Sequence, residues 1–246
     1  MAYEKAFNEE FAKKLVDAAS DADADEVLER EFLAMKERSL ALNQARKRMS
    51  LGFQEVLLAL KDAYPGLDLN DANFIGTPDR MARAMLEVCS GLGADDRSVF
   101  SKSFPSGEYN EMIMLKDIEY TSICAHHFFP FTGVAHIGYM PARGKDEEED
   151  GHKVVGVSKL ARIVDVYANR PQLQERMCTE IMQAIKEQLN PRGVMVVVEG
   201  KHGCIGCRGV KKVNATMITS GLDGAFKTSA KLRSEFLALL KRGNLR

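Results

Sequence analysis

Residues 192–208 read RGVMVVVEGKHGCIGCR, an apolar run followed at once by a turn rich in histidine and cysteine. The five consecutive apolar residues over 194–198 leave no side of a strand for water. Such a run predicts a strand, over residues 194–199, that is buried on both faces. The turn that follows it is therefore held at the end of a buried strand.

The rest of the chain supplies helices and strands around this one. Hydrophobic periodicity and turn residues predict helices over 26–49, 50–64, 77–88, 158–168, 171–189 and 229–242. They predict further strands over 112–122, 128–139 and 208–220. Paired strands alternating with paired helices indicate an α+β fold with an antiparallel sheet. We expect an N-terminal helical arm over 1–49 and a main domain over 50–246.

Composition excludes several classes of partner. The 34 Lys and Arg nearly balance the 35 Asp and Glu, which gives no electrostatic case for binding nucleic acid or an acidic membrane. The chain lacks an apolar run near 18 residues, and its N-terminus lacks the apolar core of a signal peptide. We therefore expect a cytoplasmic protein, and its odd number of cysteines, 5, argues against a disulfide framework.

Cysteine and histidine are concentrated in two predicted turns. One lies between the predicted strands 112–122 and 128–139, and the other follows the buried strand. These residues are Cys124, His126, His127, His202, Cys204 and Cys207. Thiolate and imidazole together suit zinc. Three protein ligands would leave a position for water, whereas a fourth from Cys207 would close the site and make it structural. The other candidates are interpreted as structural or solvated: Cys89, Cys178, His136 and His152.

Basic residues occur at predicted helix starts. Lys159 and Arg162 lie three residues apart on one face of a helix, and Arg80 and Arg83 repeat that spacing. A helix start adds partial positive charge, and Arg208 follows the second cysteine turn. Taken singly, each of these cations is typical of a solvated surface. Together they would suit a triphosphate.

Several ordered motifs give the chain a close resemblance to the GTP cyclohydrolase I family over about residues 50 to 246. The matching segments are TPDRMARAMLEV (77–88), SICAHHFFPF (122–131), VVGVSKLARIVDVYANRPQLQERM (154–177), KHGCIGCRGV (201–210) and KTSAKLRSEFL (227–237). The resemblance implies the tunnelling fold, in which antiparallel sheets of several subunits join into a barrel. It further implies a homodecamer built from two pentamers, with each site at a subunit interface.

The resemblance also implies a reaction: zinc-dependent hydrolysis of GTP to 7,8-dihydroneopterin triphosphate and formate, the first step of pterin biosynthesis. Zn²⁺ would be held by Cys124, His127 and Cys204, and protons handled by His126 and His202. Ser158 would lie against the ribose, and Gln174 and Glu175 against the guanine edge. The triphosphate would be held by Lys159, Arg162, Arg208, Arg80 and Arg83, some of them from a neighbouring subunit.

Three features depart from the family pattern. Ala125 replaces a glutamate between the zinc cysteine and the two histidines, Cys207 is an extra cysteine, and residues 144–152 (GKDEEEDGH) form an acidic insert. The alanine keeps open a paralogue that acts on another guanine nucleotide or stops at a ring-opened intermediate. A non-catalytic, zinc-stabilised subunit is a further alternative, although such a scaffold would need neither Glu175 nor His202.

Overall fold

The computed structural model describes residues 24–105, 109–142 and 153–241, and the chain divides into two compact units after Glu87. The helices are α1 (Ala24–Ala63), α2 (Thr77–Val88), α3 (Val157–Ala168), α4 (Gln174–Leu189), α5 (Gly203–Gly206), α6 (Ala225–Thr228) and α7 (Ala230–Lys241). The strands are β1 (Ser103–Pro105), β2 (Ile113–Cys124), β3 (Pro130–Met140), β4 (Lys153–Val155), β5 (Pro171–Gln172), β6 (Gly193–His202) and β7 (Met217–Gly224). Short 3₁₀ turns lie at Ala72–Phe74, Ser90–Gly93 and Arg97–Phe100.

The first unit contains α1, which is one continuous helix of 40 residues where the sequence predicted two helices meeting at residues 49 and 50. The glycine within it, Gly52, costs about 1 kcal/mol of helix propensity, which its helix-forming neighbours outweigh. Arg46 of α1 donates to both carboxylate oxygens of Asp79 on α2, at 2.8 and 2.7 Å. The division into an arm over 1–49 and a domain over 50–246 stays a prediction.

The second unit is built on a five-stranded sheet, counted over the described ranges, in the order β5-β2-β3-β6-β7. The pairs β2–β3, β3–β6 and β6–β7 are antiparallel, and the short β5 pairs parallel with the end of β2. Strands β1 and β4 form a separate antiparallel pair. The predicted α+β class with an antiparallel sheet is confirmed, and the arrangement is consistent with the tunnelling fold expected from the resemblance.

Strand β6 is covered on both faces, as its apolar run predicted. Its side chains alternate, so that Val196 and Val198 join a cluster with α3 and α4, while Val197 joins a second cluster with Phe226 and Phe236. All residues from 193 to 198 are buried. The end of β6 is thereby fixed, and the cysteine turn that follows begins from a rigid position.

Two predicted boundaries in the second unit are wrong. Pro171 does not begin a helix, because Pro171 and Gln172 pair with Ile123 and Cys124 of β2. The predicted strand over 208–220 begins only at Met217, since Gly209 and Lys211 adopt positive φ angles of 60° and 51°, which are turn conformations.

Smaller differences concern helix starts and the ends of the described ranges. Gly156, and not Ser158, occupies the N-cap position of α3. Residues 1–23 of the predicted arm and residues 143–152, which contain the acidic insert, lie outside the described residues. No helix in the part of the chain that is described combines the length and the apolar character needed to cross a membrane.

Candidate functional site

Cys124, His127 and Cys204 form a cluster of potential metal ligands. One ligand atom from each residue, a sulfur or a ring nitrogen, lies within 4.8 Å of the others. Cys124 is the last residue of β2, His127 lies in the turn that follows, and Cys204 lies in α5 after β6. The structure thus brings together the three residues predicted as zinc ligands.

Backbone hydrogen bonds shape the first turn. The Cys124 N–H donates to the carbonyl of Phe129, and the Phe128 N–H donates to the carbonyl of Cys124, each at 2.8 Å. Phe128 completes the turn with a φ of 56°. The Ala125 N–H donates to the carbonyl of Gln172 at 3.0 Å, which ties the turn to β5. Main-chain hydrogen bonds thus shape the turn that carries Cys124 and His127.

Sheet register brings the second turn to the first. His202 is the Cα partner of Phe131 across β3 and β6, next to the start of β3. Gly203 follows, and a Cβ added to it would lie 2.7 Å from the carbonyl oxygen of Pro130. Because no side chain fits there, the two turns can approach closely enough for Cys204 to reach the cluster.

The surroundings of Cys204 oppose ionisation of its thiol when no metal is bound. Burial, followed by the neighbouring Cys124 thiol, raises the pKa of Cys204. The Cys204 thiol therefore resists ionisation by itself, whereas a coordinated metal ion would deprotonate it. The sulfur, sulfur and nitrogen donor set fits zinc.

Cys207, considered as a fourth ligand, is not in this cluster. Its exposed side chain donates from Sγ to the carbonyl of Gly203 at 2.8 Å. Cys178 is buried and donates to the carbonyl of Val196, in keeping with its predicted structural role, while Cys89 is half-buried. His136 is also buried, where its Nδ1 accepts a hydrogen bond from the Asp117 N–H.

His202 lies beside the cluster, and its ring is closely packed. It stacks on Phe131 with ring centroids 4.4 Å apart and an angle of 4° between the planes. Its Nε2 lies 2.8 Å from Oε1 of Gln174. Burial lowers the pKa of His202, and the Glu175 carboxylate partly offsets that effect. The other predicted proton-handling residue, His126, is exposed, with its ring centroid 6.3 Å from that of His127.

Gln174 and Glu175, predicted side by side at the guanine edge, differ sharply in their surroundings. Glu175 is exposed in the first turn of α4. Gln174 is only 1% exposed, and its amide bonds to the protein on both ends. Its side chain thus contacts His202 rather than the surface, and the predicted guanine contact stays untested.

The predicted triphosphate ligands lie at several places. Ser158 and Arg162 are exposed in the first turns of α3, with Lys159 half-buried between them, and Arg208 is exposed after α5. In the first unit, Arg80 donates to the carbonyls of Ile75 and Asn73, and Arg83 pairs with Asp79 at 3.3 Å. Binding of a triphosphate by these residues stays a prediction.

Sequence reasoning missed two supporting side chains. Phe131 stacks on His202 across the sheet, and the fully buried Gln172 donates to the carbonyl of Tyr167 and to Glu180. Both lie inside segments that the resemblance already matched. The sequence does not reveal that Phe131 lies opposite His202, because that depends on the register of β3 against β6. Nor does it reveal the position of Gln172, which depends on the pairing of β5 with β2.

Comparisons with known proteins agree with these observations. The family model of GTP cyclohydrolase I matches residues 54–241. GTP cyclohydrolase 1 of Acetivibrio thermocellus is 43% identical over 195 residues, which cover 79% of this chain and 97% of that protein. The enzyme of the same name from Thermoanaerobacter pseudethanolicus is 45% identical over 175 residues, covering 71% of this chain and 88% of that protein. The enzyme of the same name from Carboxydothermus hydrogenoformans is 47% identical over 164 residues, which cover 67% of this chain and 81% of that protein. The chain therefore belongs to the GTP cyclohydrolase I family of enzymes.

Proposed function

We propose that this enzyme uses zinc to hydrolyse GTP to 7,8-dihydroneopterin triphosphate and formate. The observation that carries the proposal is the cluster of Cys124, His127 and Cys204 beside His202 in a chain of this family. Opening of the imidazole ring and release of formate each consume one water, and closure of the pterin ring returns one. The reaction therefore needs activated water and a repeated supply of protons.

Cys124, His127 and Cys204 would hold the zinc ion. When bound by three protein ligands, zinc acts as a Lewis acid and lowers the pKa of water to about 7, so that a nucleophile is available at neutral pH. The cluster contains three such residues among those that the structure describes, which supports a catalytic rather than a closed structural site.

His202 and His126 would carry protons to and from the purine. His202 is half-buried, its ring face stacks on Phe131 and its Nε2 contacts Gln174. This fixed position supports proton transfer at one particular ring nitrogen of the substrate. His126 is exposed and adjacent to the ligand His127, which supports a role in exchange with solvent. Imidazole suits both tasks because it is readily protonated and deprotonated near pH 7.

Glu175 would recognise the guanine edge. The N1–H and the 2-amino group of guanine are adjacent donors, and a carboxylate can accept both. Its exposure in the first turn of α4 supports this contact. Ser158 would lie against the ribose, where its hydroxyl could exchange protons during the Amadori-type rearrangement that precedes ring closure.

The triphosphate would be bound at the start of α3 by Lys159 and Arg162, with Arg208 adding a third cation. The partial positive charge of the helix start favours the same ligand. Arg80 and Arg83 of the first unit would contribute as well, some of these residues coming from a neighbouring subunit. Their contribution would be binding and orientation of the substrate rather than chemistry.

We further propose a cytoplasmic homodecamer of two pentamers. β7 is the last strand of the described sheet, and Ile218 on it is 63% exposed, which supports pairing with a second copy of the chain. The particle mass, measured by light scattering, should then be ten times the 27.3 kDa of the chain.

Ala125 supports a second candidate, a paralogue that halts at a ring-opened intermediate or takes another guanine nucleotide. The test is to incubate the purified protein with GTP and zinc, and to assay formate and the fluorescent pterin obtained after oxidation. Both products support the first proposal, and formate without pterin supports a paralogue that halts at a ring-opened intermediate. Neither product, from GTP or from another guanine nucleotide, indicates a non-catalytic subunit. Cys204→Ala should lose both products, whereas Cys207→Ala, on the same turn but outside the cluster, should keep them.

A further inference from the structure

We propose that Gln174 is a positioning residue that holds His202 in the tautomer protonated at Nε2. Nδ1 is then the nitrogen of the neutral ring that accepts a proton from the reacting system and returns it. The catalytic consequence rests on the proposed function, whereas the tautomer itself follows from hydrogen bonding within the protein.

The orientation of the Gln174 amide is decided by its buried neighbours. Nε2 lies 3.0 Å from the carbonyl oxygens of both Val198 and Met217, and 3.3 Å from the Thr219 hydroxyl. Carbonyl oxygens only accept hydrogen bonds, so the amide end facing them must be the NH₂ group. The flipped amide would place its oxygen against two carbonyls in the protein interior, which is strongly unfavourable.

The protonation of His202 follows from this orientation. The amide oxygen of Gln174 lies 2.8 Å from Nε2 of His202 and can only accept. Nε2 must therefore carry the hydrogen, and in a neutral imidazole the lone pair is then on Nδ1. The amide thus selects one of two otherwise similar tautomers.

The surrounding packing keeps the amide and the ring in place. Phe131 stacks on one face of the His202 ring at 4.4 Å. Gly200 lies beside the amide, where an added Cβ would lie 2.6 Å from the Tyr120 hydroxyl oxygen and closer still to Gln174 Oε1. A glycine is therefore required at position 200 for the Gln174 side chain to reach His202.

Removing the amide should impair proton transfer without weakening GTP binding. Gln174→Met keeps the side-chain length but has neither the acceptor for His202 nor the donors for Val198 and Met217. A well-placed acid or base contributes about 100- to 10,000-fold to the rate. Gln174→Met keeps His202 but removes the contact that positions it, so kcat should fall by about 10- to 100-fold. KM for GTP should change by less than about two-fold.

The experiment combines kinetics with ¹⁵N solid-state NMR of the histidine-labelled, zinc-loaded protein at a pH where the ring is neutral. The wild type should show His202 protonated at Nε2. In Gln174→Met, a substantial fraction should be protonated at Nδ1, together with the loss in kcat. Gln188→Met is the matched control, because Gln188 lies on the same helix and donates to the Asp96 carbonyl, away from His202. It should leave both readouts unchanged.

Three results would overturn the proposal: a wild-type His202 protonated at Nδ1, a Gln174→Met variant with unchanged tautomer and kcat, or a loss confined to KM. If Gln174→Met does not fold, Gly200→Ala displaces the amide while keeping every hydrogen-bonding group, and it should reproduce both effects. If the wild type produces neither formate nor pterin, the proposed function fails, while the wild-type spectrum still decides the tautomer.

Discussion

Zinc should stabilise the folded protein by an amount that follows from mass action once the ligands are assigned. Cys124 ends β2 and Cys204 follows β6, so the ligands come from segments far apart in the chain. The unfolded chain does not hold them together, and metal binding therefore adds directly to the free energy of folding. At free zinc 100 times the Kd, the gain is about 2.7 kcal/mol. For a chain of this length, each kcal/mol raises Tm by about 2–4 °C, which gives about 5–11 °C.

The assay is thermal unfolding of the chelated protein with and without zinc. Cys204→Ala should abolish the zinc-dependent shift, because it removes one of the three clustered ligands. Cys207→Ala should preserve the shift, since its sulfur bonds to a backbone carbonyl on the same turn. A wild-type Tm unaffected by saturating zinc, or an equal shift in Cys204→Ala, would refute the assignment of the metal site.

Three further changes test other parts of the structure. Ala125→Glu restores a carboxylate beside the metal turn and should raise kcat by about 10-fold at constant zinc content; an unchanged rate would contradict that role. Burial lowers the pKa of His136, partly offset by Asp117 and Glu199, so the unfolded state binds more protons as the pH falls below about 6.5. Stability should therefore decrease from there downward, and His136→Gln should flatten this dependence in urea titrations at several pH values. Phe236→Ala empties a fully buried position on the sheet face opposite α3 and α4. It should cost about 3–5 kcal/mol in urea unfolding with KM for GTP unchanged, and a loss below 1 kcal/mol would contradict the packing.

Much of the fold could be predicted because local pattern and burial agree. The apolar run over 194–198 required cover on both faces, and the structure provides it from α3 and α4 on one side and from α6 and α7 on the other. The cluster was also predictable in two steps. Two turns at strand ends contain the candidate histidines and cysteines, and the resemblance to GTP cyclohydrolase I selected Cys124, His127 and Cys204 among them.

Other features depended on contacts between distant segments. Pairing of Pro171 and Gln172 with β2 overrides the usual preference of proline for a helix start. The role of Gln174 was equally hidden, because its partners Val198, Met217 and His202 come from two other strands. The family resemblance suggested Gln174 as a site residue, and only the tertiary structure shows which atoms it contacts.

The two-residue strand β5 links the metal turn to the residues of α4. Cys124 pairs with Gln172, the Ala125 N–H donates to the Gln172 carbonyl, and Glu175 follows three residues later as the second residue of α4. This short backbone link therefore sets the spacing between the Cys124 sulfur, a proposed metal ligand, and the carboxylate expected to hold the base. A shift in the pairing of β5 with β2 would therefore displace the proposed metal site relative to the proposed guanine-binding carboxylate, even if each part were intact.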